Sequence, residues 1–575
     1  MAEGERAEGE RTEGETQAGE ATPLAARLAS AVTAHRTGDL DAAIAGYRAV
    51  LESAPDHVDT LTNLGVALRS QGDVAGAIAI YERGLAIEPG HANANYNLGN
   101  ALRAQGEHER AAECYRAAIA AKRDYVDACA NLALSLRDLE RYDEALAAAG
   151  AGLRTLPRAP SLWANLGAVL WASGRAEAAV TAYRRSLALD PEPAAAHLDL
   201  AQVLYRQGEY DGAAHHAQQA LARDAALADA HCVIAKCLAA RGRFEDALAQ
   251  LERARAIEPD NLMAKLGTAL TRLLMGDLKE GFKAYQCRWE LDEMARPEPP
   301  QPRWDGGDLS GKRILLTREQ GFGDTIHAIR YAPLLAERGA RVIAQCQPPL
   351  VRLVQTVVGV DRVVPEGSAP PAFDTHASLL DLPELFGTEL ATIPAQVPYF
   401  DLPGATPDDD ADQAGRPLRI GIAWAGKPTH NNDANRSCAL ETFLPLFELP
   451  GTRFYSFQIG ERAADIAALG LGAMLTDASS QIGDFLDSAR LVARLDLVIS
   501  VDTALVHLAG ALARPVWVLL PHAPDWRWMH ERTDSPWYPT MRLYRQPAPR
   551  SWGPVVEAIA GDLRALTASR QAGGF

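Results

Sequence analysis

Small and apolar residues in the first half of the chain recur with a period of 34 residues. Between residues 24 and 260, alanine returns at one register position in all seven units, and glycine returns at another in six of them. Glycine permits a tight turn between two helices, alanine lets those helices approach closely, and proline ends the second helix. Glu140 fills the remaining glycine position. The register positions are Gly38, Gly72, Gly106, Gly174, Gly208 and Gly242; Ala43, Ala77, Ala111, Ala145, Ala179, Ala213 and Ala247; Pro55, Pro89, Pro157, Pro191 and Pro259; and Leu64, Leu98, Leu132, Leu166 and Leu200.

A helix-turn-helix unit of this length and pattern resembles the tetratricopeptide repeat (TPR). Stacked units of this kind form an α-solenoid, so we predict a TPR superhelix over residues 24–293. It would hold seven repeats and a degenerate capping repeat, "LLMGDLKEGFKAYQCRWEL", which keeps Gly276 but has Gly281 where alanine is expected. We expect the capping repeat to dock the solenoid onto the segment that follows.

One row of polar residues follows the same period. A side-chain amide offers both a donor and an acceptor, so a row of asparagines could bind the backbone of an extended peptide. Asparagine is also common at this position of such repeats, so the row does not require a partner. The solenoids of protein O-GlcNAc transferases carry a similar ladder, and that resemblance implies a protein or peptide on the concave face. The row is Asn63, Asn97, Asn131 and Asn165.

The pattern changes after residue 312. Short apolar runs alternate with helical segments, which predicts parallel sheets flanked by helices. We therefore predict an α-solenoid followed by an α/β region of two Rossmann-like halves, residues 313–403 and 417–575, the second ending in a helix. Residues 294–312 and 404–416 are read as linkers from their proline, glycine and aspartate content. Strands are predicted at 313–317, 340–346, 361–365, 375–380, 419–426, 453–460, 495–500 and 515–520.

Charge and composition narrow the classes of function. The chain of 575 residues has 57 basic and 74 acidic residues, and a net charge of −17 argues against binding to nucleic acid or anionic membranes. Residues 1–23 are acidic and poor in apolar residues, so we expect a disordered tail. No apolar run reaches the roughly 18–20 residues of a membrane span. The seven cysteines are scattered, which suits reduced thiols and a cytoplasmic protein.

Two groupings look like metal sites but are better explained otherwise. Cys232 and Cys237, near His231, fit no common zinc spacing and fall inside a helical repeat. Asp408 and Asp410 form the D-x-D pattern of metal-dependent glycosyltransferases, but they lie in an acidic linker. We expect neither a metal nor a cofactor.

Two motifs follow predicted strands and could carry chemistry. In "EQGFGDTIHAIRY" (319–331), glycines allow a sharp turn and Asp324 would cap the next helix. In "LVISVDTALVHLAGALARPVWVLLP" (497–521), a helix begins near Asp502 and Thr503, and its free N–H groups suit a phosphate. Ordinary helix caps and a buried histidine would explain the same residues.

The second motif resembles the D-T-x-x-x-H-L-A-x-A-L segment of the ADP-heptose:lipopolysaccharide heptosyltransferases, glycosyltransferase family 9. That family also has a "GD" turn after its first strand, as the first motif does. C-terminal domains of bacterial TPR proteins share these features and carry segments similar to "YQCRWE" (285–290) and "PDWRWM" (524–529). The resemblance covers roughly residues 275–550 and implies a GT-B arrangement with a nucleotide-sugar donor. Heptosyltransferases usually have glycine where Ala504 stands, and they lack a TPR array, so sugar and acceptor stay open.

The resemblance also implies roles for individual residues. Asp324 would be the base that takes the acceptor's proton, and His327, one helical turn on, could orient it, act as the base itself or only pack. Fixed donors, rather than a metal, would stabilise the diphosphate. The loop 424–437 would contribute cationic groups. The residues assigned to the nucleotide sugar and its phosphates are Gly323, Lys427, Arg436, Gln458, Glu461, Asp502, Thr503 and His507.

Two functions fit these observations. The first is a metal-independent, inverting glycosyltransferase that uses a nucleotide-diphosphate sugar, with the solenoid recruiting a protein or peptide acceptor. The second is a TPR interaction scaffold whose transferase-like domain is inactive.

Overall fold

A computed structural model describes residues 23–291, 294, 296–402, 416–430 and 432–571. Residues 1–22 of the predicted tail, and Asp408 with Asp410, lie outside the described residues. The chain divides into two compact units between Glu192 and Pro193. The first unit holds five helix pairs. The second unit holds the remaining repeats and both sheets, so the division falls inside the predicted solenoid.

The first unit consists of antiparallel helix pairs, one pair for each 34-residue repeat. Its helices are α1 (Pro23–Arg36), α2 (Leu40–Ser53), α3 (Val58–Gln71), α4 (Val74–Ile87), α5 (Ala92–Ala104), α6 (His108–Ala121), α7 (Val126–Asp138), α8 (Tyr142–Thr155), α9 (Pro160–Ala172) and α10 (Ala176–Leu189).

The periodic residues have the roles that their chemistry predicts. All seven register alanines, in both units, have 0% of their surface exposed, because each lies where two helices touch. The register glycines adopt the left-handed conformation at the turn, for example Gly72 at φ 96°. Glu140 takes the same conformation at φ 58°, which costs a residue with a side chain more than it costs glycine. The turn geometry is therefore imposed by the packing of the helices.

At a second pair of register positions, the sizes of the two facing side chains of a repeat are matched: a large one on one helix faces a small one on the other. A Cβ atom on Gly65 would lie 2.4 Å from Tyr81, and one on Gly99 would lie 2.7 Å from Tyr115. In the fourth repeat the same positions hold Ala133 and Ala149, both fully buried. In the second and third repeats a large ring on one helix is thus accommodated by a glycine on the other, since interiors are close-packed.

The second unit begins with three further repeats. Their helices are α11 (Ala194–Arg206), α12 (Tyr210–Arg223), α13 (Ala228–Ala239), α14 (Phe244–Ile257), α15 (Leu262–Met275) and α16 (Leu278–Ala284), followed by a 3-10 turn at Tyr285–Glu290. The last of these repeats shares one hydrophobic core with the α/β region, which Leu273 and Phe282 enter from the solenoid side.

The first half of the α/β region is a parallel sheet of four strands in the order β3-β2-β1-β4. Ile314 pairs with Val342 on one side and with Thr375 on the other. The strands are β1 (Arg313–Thr317), β2 (Arg341–Cys346), β3 (Val360–Pro365) and β4 (Thr375–Ser378), and the helices are α17 (Phe322–Ala328), α18 (Ala332–Glu337), α19 (Val351–Val354) and α20 (Leu382–Leu385).

The second half is a parallel sheet of six strands in the order β10-β9-β8-β5-β6-β7. Its strands are β5 (Leu418–Ala423), β6 (Thr452–Ser456), β7 (Leu475–Asp477), β8 (Leu497–Val501), β9 (Val516–Leu520) and β10 (Met541–Arg545). Its helices are α21 (Asp433–Arg436), α22 (Leu444–Phe447), α23 (Asp465–Ala468), α24 (Phe485–Val492), α25 (Ala504–Ala511) and α26 (Gly553–Gln571).

The predicted fold class is confirmed: a TPR solenoid precedes two Rossmann-like halves. Each predicted strand overlaps an observed one, but β7 and β10 were not predicted. β7 has only three residues, two of them exposed. β10 reads "MRLYR", which is an edge strand with charged positions rather than an apolar run.

A buried arginine fastens the solenoid to the first half. Arg288, in the turn that ends the last repeat, bonds to both carboxylate oxygens of Glu319 at 2.8 and 2.9 Å and to Asp381 at 2.6 Å. Each of the three side chains is only 1% exposed. Burial alone would lower the pKa of Arg288, but these carboxylates raise it. Glu319 follows β1 and Asp381 follows β4, so one guanidinium ties the solenoid to both strand ends.

Replacing Arg288 by methionine should destabilise the second unit by about 3–5 kcal/mol, because Glu319 would remain buried without a counter-charge and Asp381 would keep only the partly exposed Arg303. Unfolding in urea can be followed by tryptophan fluorescence, since eight of the ten tryptophans lie in the second unit. Arg303→Met is the matched control: Arg303 also contacts Asp381, at 2.9 Å, but its side chain is 34% exposed. We expect it to cost at most about 1 kcal/mol. Equal losses for the two variants would contradict this account.

Candidate functional site

The topology of both sheets points to the same place. In a parallel sheet, ligands bind beyond the carboxyl ends of strands where the chain order reverses. In the first half the reversal lies between β1 and β4, and in the second half between β5 and β8. The segments that follow β1 and β8 are the two motifs singled out in the sequence.

These two segments lie against each other. Helix α17 follows β1, helix α25 follows β8, and the two helices are in direct contact. A Cβ atom on Gly323 would lie 2.9 Å from Cδ2 of His507. Close packing of the two helices therefore explains why a glycine stands at position 323. The same residue was predicted from the sequence to approach a phosphate.

Asp324 lies at this junction and is fully engaged. Its Oδ2 accepts a hydrogen bond from the N–H of Gly321 at 2.8 Å. Its Oδ1 accepts one from Nη2 of Arg527, which follows β9 in the second half and also bonds to Asp525 at 2.8 Å. The Asp324 side chain is 21% exposed. The carboxylate thus faces solvent in part and is tied to both halves.

Asp502 and Thr503 lie at the start of α25. Thr503 is the N-cap and its own side chain makes no capping bond, so the first N–H groups of the helix have no side-chain acceptor there. Burial, reinforced by the charge of Asp525, raises the pKa of Asp502 to about 6. Arg436 and Arg527 act in the opposite sense. A helix N-terminus and two arginines therefore flank a carboxyl group that is poorly solvated.

Arg436 belongs to the loop that follows β5. The loop is anchored by Gln458, whose Oε1 accepts from the N–H groups of Trp424 and Ala425 at 3.1 and 3.0 Å. Arg436 folds back on Gly426, where a Cβ would lie 2.5 Å from its Nη2. Its buried Nε makes no hydrogen bond with the described residues but lies 3.5 Å from Oδ1 of Asp433. The guanidinium is held in place by this ion pair and retains donor capacity.

Two other cationic or titratable residues of this loop, Lys427 and His430, are exposed. The candidate Glu461, which follows β6, is also exposed. The pKa of His430 is lowered by burial of part of the ring and by Arg436, while Asp433, Asp525 and Asp324 act in the opposite sense. The loop and Asp324 are therefore close enough for their charges to influence each other. Gln458 is buried, and its side-chain amide forms hydrogen bonds with backbone groups of the loop, so its role here is to shape the loop.

His327 and His507 are buried behind the junction. Each places Nδ1 near the hydroxyl of Tyr538, at 3.3 and 3.1 Å. Burial, with the nearby charges of Arg330 and Arg527, lowers the pKa of both well below the ordinary value, so both rings are neutral. Trp526, Trp528 and Trp537 enclose them as core residues. His327 is thus placed to brace α17 rather than to meet solvent.

The asparagine row lies on the first helices of the repeats in the first unit, and all four side chains are half-buried. Asn131 is already engaged: its Nδ2 donates to Asn100 at 2.8 Å. Among the described residues, no hydrogen bond is formed by the side chains of Asn63, Asn97 or Asn165. Three members of the row thus keep a donor and an acceptor available.

Reasoning from sequence missed two arginines. Arg288 and Arg527 were quoted within "YQCRWE" and "PDWRWM" but received no role. Both follow the same local pattern, a guanidinium flanked by aromatic residues, and both are buried ion-pair partners of the turn 319–324. An arginine inside an apolar cluster needs a carboxylate partner, which is the signal that could have found them.

Within the part of the chain that the structure describes, no group of three or more His, Cys, Asp or Glu is arranged to hold a metal ion. In the same residues, no helix is long and apolar enough to cross a membrane.

Comparison with known families identifies the repeats. Tetratricopeptide-repeat models match residues 28–91, 62–126, 130–194 and 169–228, and a second such model matches 204–270. Residues 28–270 therefore carry tetratricopeptide repeats, as predicted from the 34-residue period.

Among curated proteins, Protein FlbA of Caulobacter vibrioides is 28% identical over 347 residues, which is 54% of this chain. The chain spans about half, 56%, of that protein's length. Among solved structures, a tetratricopeptide repeat protein from Parabacteroides merdae is 17% identical, with a TM-score of 0.38 over 43% of this chain and 98% of the other. PilF of Pseudomonas aeruginosa is 21% identical, with a TM-score of 0.32 over 36% of this chain and 95% of the other.

Asp502 should make stability depend on pH. Its pKa in the folded state, about 6, is above the value of 3.8 for an ordinary aspartate. Its contribution to the free energy of unfolding is therefore present at low pH and is lost as pH rises through 6. Asp502→Asn should therefore raise the free energy of unfolding by about 2 kcal/mol near pH 8, and by about half of that near pH 5. Urea unfolding at the two pH values measures it.

Asp477→Asn is the matched control, because Asp477 is exposed and its bond to the N–H of Ser479 survives in an asparagine. It should change little at either pH. If Asp502→Asn is instead destabilising near pH 8, the two arginines hold the carboxylate in its charged form and the argument is wrong.

Proposed function

We propose that the α/β region is a metal-independent, inverting glycosyltransferase of the GT-B type, and that the TPR solenoid recruits its protein or peptide acceptor. The observation that carries this proposal is the meeting of the two switch points. Asp324 of the first half is bonded there to Arg527 of the second half, next to Gly323, which packs against α25. Asp502, just before α25, is influenced by the charges of Arg436 and Arg527.

The second half supports binding of a nucleoside diphosphate. The start of α25 offers N–H groups and the positive end of the helix dipole, which favour a phosphate. Arg436 has an Nε that makes no hydrogen bond with the described residues, although it lies 3.5 Å from Oδ1 of Asp433, and Lys427 is exposed on the same loop. Such fixed donors can stabilise the charge of a leaving diphosphate.

Asp324 supports the transfer step. In an inverting transfer, an acceptor hydroxyl attacks the anomeric carbon of the sugar, a new C–O bond forms, and the bond to the diphosphate breaks. The electron pair of that bond leaves with the diphosphate oxygen, and the hydroxyl proton passes to the carboxylate of Asp324. One oxygen of Asp324 must first be released from Arg527, and the negative diphosphate competes for that arginine.

The repeats support a protein partner. Stacked TPR units form an extended concave surface suited to peptides. Asn63, Asn97 and Asn165 offer amides at the same position of three repeats, and such amides can pair with the donors and acceptors of a peptide backbone.

Nucleoside diphosphates or their sugars should raise the melting temperature of the protein, with or without EDTA, because they bind the folded state. Arg436→Ala should weaken binding by about 10–100-fold, as expected for loss of a charged hydrogen bond. Arg514→Ala removes the same charge at the opposite end of α25 and serves as the control. No stabilisation by any donor at millimolar concentration, or equal binding by the two variants, would refute the donor site.

Asp324→Asn should reduce the rate of transfer by about 100-fold or more, since it removes the proton acceptor, while nucleotide affinity stays within about twofold. The amide keeps an acceptor for the N–H of Gly321. Asp525→Asn is the control, because it weakens the ion pair of Arg527 without changing the proposed base. Transfer at the wild-type rate by Asp324→Asn would remove the base assignment.

The interaction scaffold remains the second candidate. It is favoured by the complete engagement of Asp324, whose two oxygens are both bonded. It predicts TPR-dependent capture of a protein partner that is indifferent to Asp324→Asn and Arg436→Ala.

A further inference from the structure

The last turn of the solenoid touches the segment that carries Asp324. Nε2 of Gln320 donates to the hydroxyl of Tyr285 at 2.9 Å, and Arg288 holds the preceding residue, Glu319. Gln320 is followed directly by Gly321, whose N–H bonds to Asp324. Two consecutive residues of the turn are thus held by the solenoid, immediately before the residue that holds the carboxylate.

The same part of the solenoid also contacts the segment that carries Arg527. Phe282 packs edge-on against Trp526, with ring centroids 5.3 Å apart, and Trp526 precedes Arg527 in the chain. Both members of the Asp324–Arg527 pair are therefore supported from the capping repeat.

We infer that Tyr285 and Arg288 are positioning residues, through which the capping repeat of the solenoid orients the carboxylate of Asp324. Arg288 fixes Glu319 at the end of β1, where its carboxylate also accepts from the N–H of Leu380 at 3.1 Å. Tyr285 fixes the next residue. Arg288 thereby connects the segments that follow β1 and β4, on both sides of the first half's switch point, and the turn 319–324 takes its shape from the capping repeat.

The kinetic consequence rests on the proposed function, but the positioning itself does not. It is tested by hydrogen exchange of the amides of residues 319–324 in the full-length protein. Tyr285→Phe keeps the ring and removes only the hydroxyl. It should speed exchange in this turn by about fivefold, as expected for loss of one internal hydrogen bond. If transfer occurs, kcat should fall while KM for the donor stays unchanged.

Tyr331→Phe is the matched control. Its hydroxyl lies 2.7 Å from Oγ1 of Thr388 in the same half, and the residue is equally buried. Exchange in the turn should not change in this variant. Gln320→Met removes the Tyr285 bond from its other side, so the two changes together should speed exchange no more than either one alone.

Unchanged exchange in Tyr285→Phe, or additive effects in the double variant, would overturn the inference. If the wild-type protein binds no nucleotide and transfers no sugar, the proposed function fails, yet the exchange measurement still decides whether the solenoid positions the turn.

Discussion

The second unit depends on one buried guanidinium. Arg288 leaves the last turn of the repeat array and pairs with carboxylates that end two adjacent strands of the first sheet. Charges removed from water must be paired, and here each partner belongs to a different element. This requirement fixes how the turn that ends the last repeat meets the α/β region. It also fixes the turn after β1, on which the candidate site is built.

The order and type of the elements could be predicted from the sequence, because each kind of element has simple packing requirements that recur along the chain. A buried alanine, a turn glycine and a terminal proline suffice to define a TPR unit, and apolar runs suffice to locate central strands. The two strands that were not predicted, β7 and β10, lie at the edges of the second sheet. An edge strand is partly exposed, so its sequence does not need to be a continuous apolar run. The matching of side-chain size between Gly65 and Tyr81 or Gly99 and Tyr115 was also present in the sequence, at a spacing of 16 residues.

The candidate site was only partly readable. Arg436 and Thr503 follow the adjacent strands β5 and β8, so topology alone brings them to one edge of the second sheet, and Asp324 follows β1 at the corresponding edge of the first sheet. The ion pair between Asp324 and Arg527 joins residues 203 positions apart, and no local pattern specifies which carboxylate a buried arginine will meet. Gly323 and Gln458 illustrate the converse. Their residue types suit ligand contact, but the structure uses one for helix packing and the other to hold a loop.

The turn glycines of the last three repeats have different neighbours. Gly208 faces Pro549, Gly242 faces His530, and Gly276 faces Leu390. Inserting or deleting a whole repeat within residues 193–291 would set each turn against a neighbour shaped for another. These three repeats are therefore not interchangeable copies, although their sequences carry the common period.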